Sequence, residues 1–308
     1  MEIMSLINAL PGAAAQGLIW GIMAIGVYLT FRILDIADLT VDGTMCTGGA
    51  VCIMMLMSGH NIWISMLAAT GAGMLAGLAT GIFHTVMGIP AILAGILTQL
   101  SLYSVNLKIM GKANQAVNVN KYDLLVSLRY IKDVPFYQNT ILIVAIFIVV
   151  LIALLYWFFG TELGCSLRAT GCNPNMSRAQ GINTDVSKVL GLMLSNGLVA
   201  LSSALLAQYQ GFADVNMGRG AIVIGLAAVI IGEAIFSRIF RNFALRLVSV
   251  VIGSILYYLV LQAVIWMGID TDLLKMLSAI VVAIFLAVPY WKAKYFSKPI
   301  KRGGNTNA

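Results

Sequence analysis

Between Asp42 and Lys108 the chain carries no Asp, Glu, Lys or Arg. That run alone is long enough for about three membrane spans of ~20 residues. Similar charge-free gaps lie between Glu2 and Arg32, Asp133 and Glu162, Lys188 and Asp214, and Arg246 and Asp270. A soluble domain has roughly a quarter of its residues charged. Here 10% are charged and 60% are hydrophobic, and no soluble fold keeps that much apolar surface from water. The polar stretches, residues 111–136 and 160–186, are too short to form a soluble domain. The sequence therefore specifies an all-α, polytopic helical membrane protein with about 8–10 spans, forming a single transmembrane domain over residues 1–308.

Gaps and chain breakers give nine candidate spans: 11–31, 43–58, 62–84, 89–108, 138–159, 187–209, 221–236, 247–266 and 273–290. The turn Ser58–Asn61 separates the second from the third, and Gly88–Pro90 the third from the fourth. The first apolar run is preceded by no Lys or Arg and is too long for a signal-peptide core, so it reads as a span. The pI of 9.3 does not point to nucleic acid. Five basic residues sit in the tail 291–308 and three more between Ser237 and Arg246, which is the positive-inside pattern of short cytoplasmic loops. Placing the basic tail inside puts the 160–186 insert inside as well. The loop 108–133, with five basic residues, then falls outside, against the trend.

The insert carries its own helix signals. Asn173 is a cap residue, Pro174 suits a first helical position, and Gly181 supplies the left-handed stop. The residues between make about two turns, roughly 10 Å. A short rigid helix between two spans is what a membrane subunit would present to a soluble partner. Arg168, Asn173, Pro174, Asn175, Arg178, Gln180 and Gly181 are its candidate contact and framing residues.

Two segments depart from simple spans. Residues 32–44, RILDIADLTVDGT, place three Asp (Asp35, Asp38 and Asp42) within eight residues. The simpler reading is a cytoplasmic turn in which Asp42 or Thr40 caps the next helix. The sharper reading is an interrupted helix near the membrane midplane that lines a pathway. Glu233 is a carboxylate in an apolar run. Arg238 and Arg241 follow closely, so an ion pair near the cytoplasmic surface is the first reading and a pathway role the second. Gly225 and Gly232 share one face of the helix that carries Glu233.

Gly73, Gly77 and Gly81 recur at every fourth position of the third span, and Gly17 and Gly21 do so on the first. Such faces permit close helix contact in lipid. Uncharged polar residues in mid-span, Gln99, Ser101, Asn196, Ser203 and Gln262, are candidates for a weakly binding translocation pathway. Of these, Gln99 and Asn196 are expected to face a dimer axis. Hydrogen bonding to a neighbouring helix is the simpler role for any one of them. The four Cys show no metal or redox spacing. His60 and His84 stand ~36 Å apart along one helix at 1.5 Å per residue, so no catalytic or metal centre is expected.

The insert with its flanks (Gly164, Arg168, Ala169, Gly171, Asn173, Ala179 and Gly181-Ile182-Asn183) is similar to the cytoplasmic coupling loop of the permease subunits of ATP-binding-cassette importers. The class it resembles is the branched-chain amino-acid and ribose class, with the type II, vitamin-B12-permease-like fold. Leu201–Leu206 leading to Gln208 and Gly211 matches that family's Ala- and Leu-rich helix. Ala221–Gly232 resembles the helix the family usually ends in Gly-Gly, although here Gly232 is followed by Glu233. Asp38-Leu39-Thr40-Val41 resembles the Asp-Leu-Ser-Val run of sugar-type members. The resemblance implies a non-catalytic permease in a bacterial plasma membrane, working as a homodimer or with a close paralogue. Its implied partners are two ATPase subunits, which bind the ATP and Mg, and an extracytoplasmic binding protein that delivers the solute. The Gly-Glu-Ala run and the Asp-rich first loop resemble a subgroup associated with aromatic amino acids, tryptophan or tyrosine. A sugar or nucleoside is the other solute class.

The residues themselves agree on one point. The chain holds no G-x-x-x-x-G-K-S/T phosphate loop, so an ATP-driven process needs a separate ATPase. The main alternative is an ion-coupled secondary transporter using Glu233 or the pair Asp38 and Asp42. An intramembrane enzyme lacks the necessary constellation of residues.

Overall fold

In the computed structural model the described residues are 3–119, 121–122, 124–128, 139–236, 239–240, 242–267 and, further on, 273, 276, 279–280, 282–284 and 287, with side chains from residue 9. The expected ninth span 273–290, the tail 291–308, Arg238 and Arg241 lie outside that set or are represented in it only by scattered positions.

The elements are α1 (Ile3–Tyr28), α2 (Thr40–Met57), α3 (Ile62–Thr85), α4 (Ala91–Met110), β1 (Asn114–Ala116), α5 (Thr140–Phe158), α6 (Glu162–Cys172), α7 (Pro174–Ala179), α8 (Thr184–Gln210), β2 (Phe212–Asp214), α9 (Ala221–Phe236) and α10 (Phe243–Trp266). Among the described residues seven helices are long and apolar enough to cross a membrane, and α9 is a shorter apolar one. The polytopic helical fold read from the charge gaps is thus present. Several helix starts follow one chemical rule. Asn61, Asn139, Asn173 and Asn183 each accept a backbone N–H of the turn that follows, which satisfies a donor that the helix cannot.

Helices α1, α2 and α8 form the centre of the bundle, while α3, α4 and α5 lie outside it. Leu67, Leu75, Val149 and Leu154 on the outer helices stay exposed, as a lipid-facing surface requires. The expected small-residue faces are where helices meet. Gly73, Gly77 and Gly81 lie against Asn196–Ala200, Leu192–Met193 and Val189 of α8. Gly17 and Gly21 lie against Ile255 and Val251 of α10. Gly225 and Gly232 serve different neighbours: the first faces Met23 and Val27 of α1, the second Ser249 of α10. Their shared face sits in the cleft between those helices. Hydroxyls add interhelical bonds at the same crossings: Ser195 donates to Gly26 O (2.7 Å), Ser202 to Ile19 O (2.7 Å) and Ser254 to Gly17 O (2.8 Å).

One end of the bundle is closed by an antiparallel pair, β1 with β2, in the register Asn114↔Asp214, Gln115↔Ala213 and Ala116↔Phe212. Each strand follows a helix ended by a left-handed glycine, Gly111 (φ +70°) and Gly211 (φ +78°), which turns the chain sharply enough for pairing. The Ser58–Asn61 turn joins this end, because Gln115 Nε2 reaches Met57 Sδ at 2.9 Å. The start of the 108–133 loop therefore shares an end with the α8–α9 connection, as the span count requires.

Candidate functional site

The insert contains two helices where the sequence suggested one. Thr161 caps α6 by accepting from Gly164 N at 3.4 Å. Gly171 at the far end of α6 presses on the end of α1, where an added Cβ would stand 2.7 Å from Ile33 C and 2.9 Å from Leu34 Cα. The buried Leu167 meets α8 at Gly191. Helix α7 follows the expected rules: Asn173 Oδ1 accepts Met176 N at 3.0 Å, Pro174 opens the helix, and Gly181 sits at φ +83°. Ile182 N donates to Ser177 O at 3.0 Å, closing the end with a bond across the glycine.

The seven contact candidates play different parts. Asn175 and Gln180 are exposed and free to meet a partner, and Pro174 and Gly181 shape the helix. Asn173 is committed to the cap. Arg178 is tied to the start of α8, with Nε donating to Thr184 Oγ1 at 2.8 Å and Nη2 lying 3.4 Å from Asp185 Oδ1. Arg168 turns away from α7, donating to Phe159 O and lying 5.8 Å over the Phe243 ring. Sequence reading missed Met176, which exposes 62% of its surface on a helix of six residues. An apolar side chain held out on a polar rigid knob was the available signal.

The 32–44 segment is not a surface turn. Helix α1 passes into a π-helical stretch, Leu29–Ile33, and the chain reverses at Asp35, a non-glycine residue at φ +56°. Short polar side chains tolerate that conformation better than most. Asp38 is 2% exposed. Its Oδ1 accepts Thr40 N at 2.9 Å, and its Oδ2 accepts Asn196 Nδ2 at 2.7 Å. Asn196 Oδ1 in turn accepts Thr44 Oγ1 at 2.7 Å. Thr40, Thr80 and Thr98 continue the chain of bonds to α3 and α4 at 2.6 and 2.9 Å. Asn196 stands near the midpoint of α8, so α2 begins inside the bundle, as an interrupted helix does.

The cap assignment also changes. Asp42 does not cap α2. Its oxygens accept Gly220 N and Ile222 N, both at 3.0 Å, at the start of α9. A carboxylate there meets the positive end of the helix dipole. Helix α9 has 16 residues, about 24 Å at 1.5 Å each, which is short of a hydrocarbon core of about 30 Å. It starts at depth, beside Asp42.

Two of the five uncharged pathway candidates are closed inside the chain. Asn196 and Ser203 are both 0% exposed, the first in the Asp38 network and the second donating to Met45 O. The expectation that Asn196 faces a dimer axis is therefore corrected: its three polar contacts lie on α2, α8 and the α1–α2 link. Ser101 is exposed and bonds its own helix at Leu97 O. Gln262 is half-buried on α10. Gln99 lines a cavity of about 260 Å³ together with Asp42, Tyr103, Asn106 and Arg219.

Glu233 has a partner the sequence did not suggest. Arg32, at the end of α1, donates through Nε to both carboxylate oxygens at 3.0 Å and through Nη2 to Oε2. The pair is partly solvated, with 48% and 26% of the side chains exposed, so its contribution to stability is about 1 kcal/mol. Arg32→Ala and Glu233→Ala are each expected to lower the thermal unfolding temperature slightly, and the double variant to cost no more than either. Strictly additive losses would mean the two side chains do not interact.

Residues 10–288 match the family described as branched-chain amino acid transport system / permease component. The tyrosine transport system permease protein of Clostridioides difficile is 38% identical over 272 residues, covering 88% of each chain. The galactofuranose transporter permease protein of Escherichia coli is 28% identical, covering 87% of this chain and 75% of that one. In fold the chain is similar to PsaBC from Streptococcus pneumoniae, solved in complex with Fab. The TM-score is 0.53 at 16% identity, with coverage of 95% of this chain and 100% of that one.

Proposed function

We propose, from the premise that this chain belongs to the family of permease components of branched-chain amino acid transport systems, that it is the membrane subunit of an ATP-driven importer. Two copies would pair in a bacterial plasma membrane, each docking one ATPase subunit. An extracytoplasmic binding protein would deliver the solute. ATP and Mg belong to the ATPase, and this chain does no covalent chemistry. The solute proposed is an amino acid, since the relative named for tyrosine is more similar than the one named for a sugar. The insert and the C-terminus would then be cytoplasmic.

The observation that carries this reading is the construction of the insert. A six-residue helix, capped at both ends, exposes Asn175, Met176 and Gln180. It is clamped to α8 through Arg178, and α6 clamps it to the end of α1 through Gly171. A displacement of α7 by a soluble subunit would reach Ile33 and Leu34 as a rigid-body motion. Those residues lead directly into the Asp38 link and the start of α2. Closure of paired ATPases would thereby shift α1 and α2 against α8, the kind of shear that alternates access.

The test is reconstitution in vesicles with the ATPase and binding protein. Gly181→Val forces a β-branched residue into a left-handed position, where about 1–2 kcal/mol of strain arises. Nothing lies within 4 Å of a Cβ there, so strain alone acts. Met176→Asp leaves the fold alone and changes only the exposed knob. Both are expected to lose substrate-stimulated ATP hydrolysis and uptake while the spans unfold at the wild-type temperature. Full uptake by both variants, or uptake without any ATPase, would remove the docking role.

A further inference from the structure

We infer that the cavity between α2, α4 and the chain before α9 is a recognition site for the charged backbone groups of an α-amino acid. This rests on the reading of the chain as an amino-acid permease and assigns the substrate chemistry to particular residues. Four observations lead there. The cavity is about 260 Å³, near the lower end of the roughly 300–1,000 Å³ usual for small-molecule sites, so it suits one amino acid rather than an oligosaccharide. Arg219 lines it, is exposed, and forms no ion pair with a carboxylate among the described residues. Asn106 also lines it, is 0% exposed, and has an Oδ1 with no hydrogen-bond partner. Leu100 and the Tyr103 ring supply apolar wall.

The depth of the cavity gives these groups their meaning. The strand-to-helix link runs back into the bundle from β2. Cys46 Sγ donates to Val215 O at 2.9 Å and accepts from Gly218 N at 3.3 Å. Arg219 therefore stands level with the first turns of α2, beside the helix start that Asp42 caps. An intramembrane guanidinium is costly and is retained where it faces a cavity with work to do. A buried carbonyl oxygen left unpaired also costs free energy until a donor arrives. Arg219 presents a cationic fork for a carboxylate, and the Gln99 carbonyl and the Asp42 carboxylate, which also line the cavity, are acceptors for an ammonium. A neutral sugar would leave the guanidinium unmatched.

The test uses the full-length chain in lipid nanodiscs, with no ATPase present, so it does not depend on ATP-driven transport. Equilibrium binding is measured for L-tyrosine, L-tryptophan and L-leucine, and for their decarboxylated counterparts tyramine, tryptamine and isoamylamine. At least one amino acid is expected to bind saturably, and its amine about tenfold more weakly, as the loss of one charge-assisted pair implies. Arg219→Gln is expected to weaken the amino acid by the same factor and leave the amine unchanged, while Arg219→Lys recovers part of the loss. The inference is overturned if none of the three amino acids binds, if amine and amino acid bind equally, or if Arg219→Gln leaves amino-acid affinity intact. Failure of ATP-dependent uptake with these binding results intact would count against the importer reading alone.

Discussion

Gly77→Val is expected to prevent stable folding. Gly77 packs directly against the backbone of α8. A Cβ there would stand 2.7 Å from the Leu192 carbonyl carbon and 2.9 Å from Met193 Cα, with the carbonyl oxygen nearer still. These are backbone atoms of a buried helix, so no side-chain rotation relieves the clash and the helices must separate. Overpacking usually costs 1–3 kcal/mol, occasionally more. Here separation also opens the Gly73 and Gly81 contacts on the same face, so more than about 3 kcal/mol is expected. Gly71 provides the control. It lies on the same helix with nothing within 4 Å of a Cβ, and Gly71→Ala should be neutral or stabilising by up to about 1 kcal/mol from helix propensity. Thermal unfolding of both variants in detergent reads the difference. Equal unfolding temperatures would mean that the glycine face does not set the α3–α8 distance.

Asn196→Ala is expected to have the second largest effect. The average interhelical hydrogen bond in a membrane protein is worth only about 0.6 kcal/mol, because helices separated in lipid find other partners. That figure fails here for a specific reason. Removing the Asn196 amide leaves Asp38 Oδ2 and the Thr44 hydroxyl unpaired where the structure is buried. Each orphaned group costs about 1–3 kcal/mol, and a carboxylate more. The loss expected is therefore about 3 kcal/mol. Asp38→Ala together with Asn196→Ala should cost clearly less than the sum of the two single variants, since each removes the group the other leaves stranded. Additive losses would show that Asp38 and Asn196 are not a unit. Uptake should fall with stability, because the same link joins the insert to the start of α2.

Much of this site was within reach of the sequence, and the misses have identifiable causes. The cap at Asn173, the proline at 174 and the stop at Gly181 were read correctly because capping involves only neighbours in the chain. Helix α6 was missed because it is amphipathic and short, and no charge gap marks it. Arg219 had a signal that went unused. A helix of sixteen residues is too short to cross a bilayer, so α9 begins at depth, and with it the arginine just ahead of it. Asn106 had no such signal, since an unpaired amide oxygen exists only relative to its surroundings.

The division between the two sources of information follows the range of the forces involved. The sequence by itself determined that the chain is helical and membrane-spanning, which faces are small, and that 160–186 carries a rigid helix. Hydropathy, capping and glycine spacing act over a few residues and need no knowledge of neighbours. Only the tertiary structure decided who meets whom. Glu233 is answered by Arg32, 201 residues away, while Asp42 caps α9 in place of the helix it belongs to. Asn196 is closed in a network with Asp38, and Arg219 faces a cavity. Each of these depends on the depth and angle at which helices cross, and those are set by backbone contacts between small residues on separate helices, which no local pattern encodes.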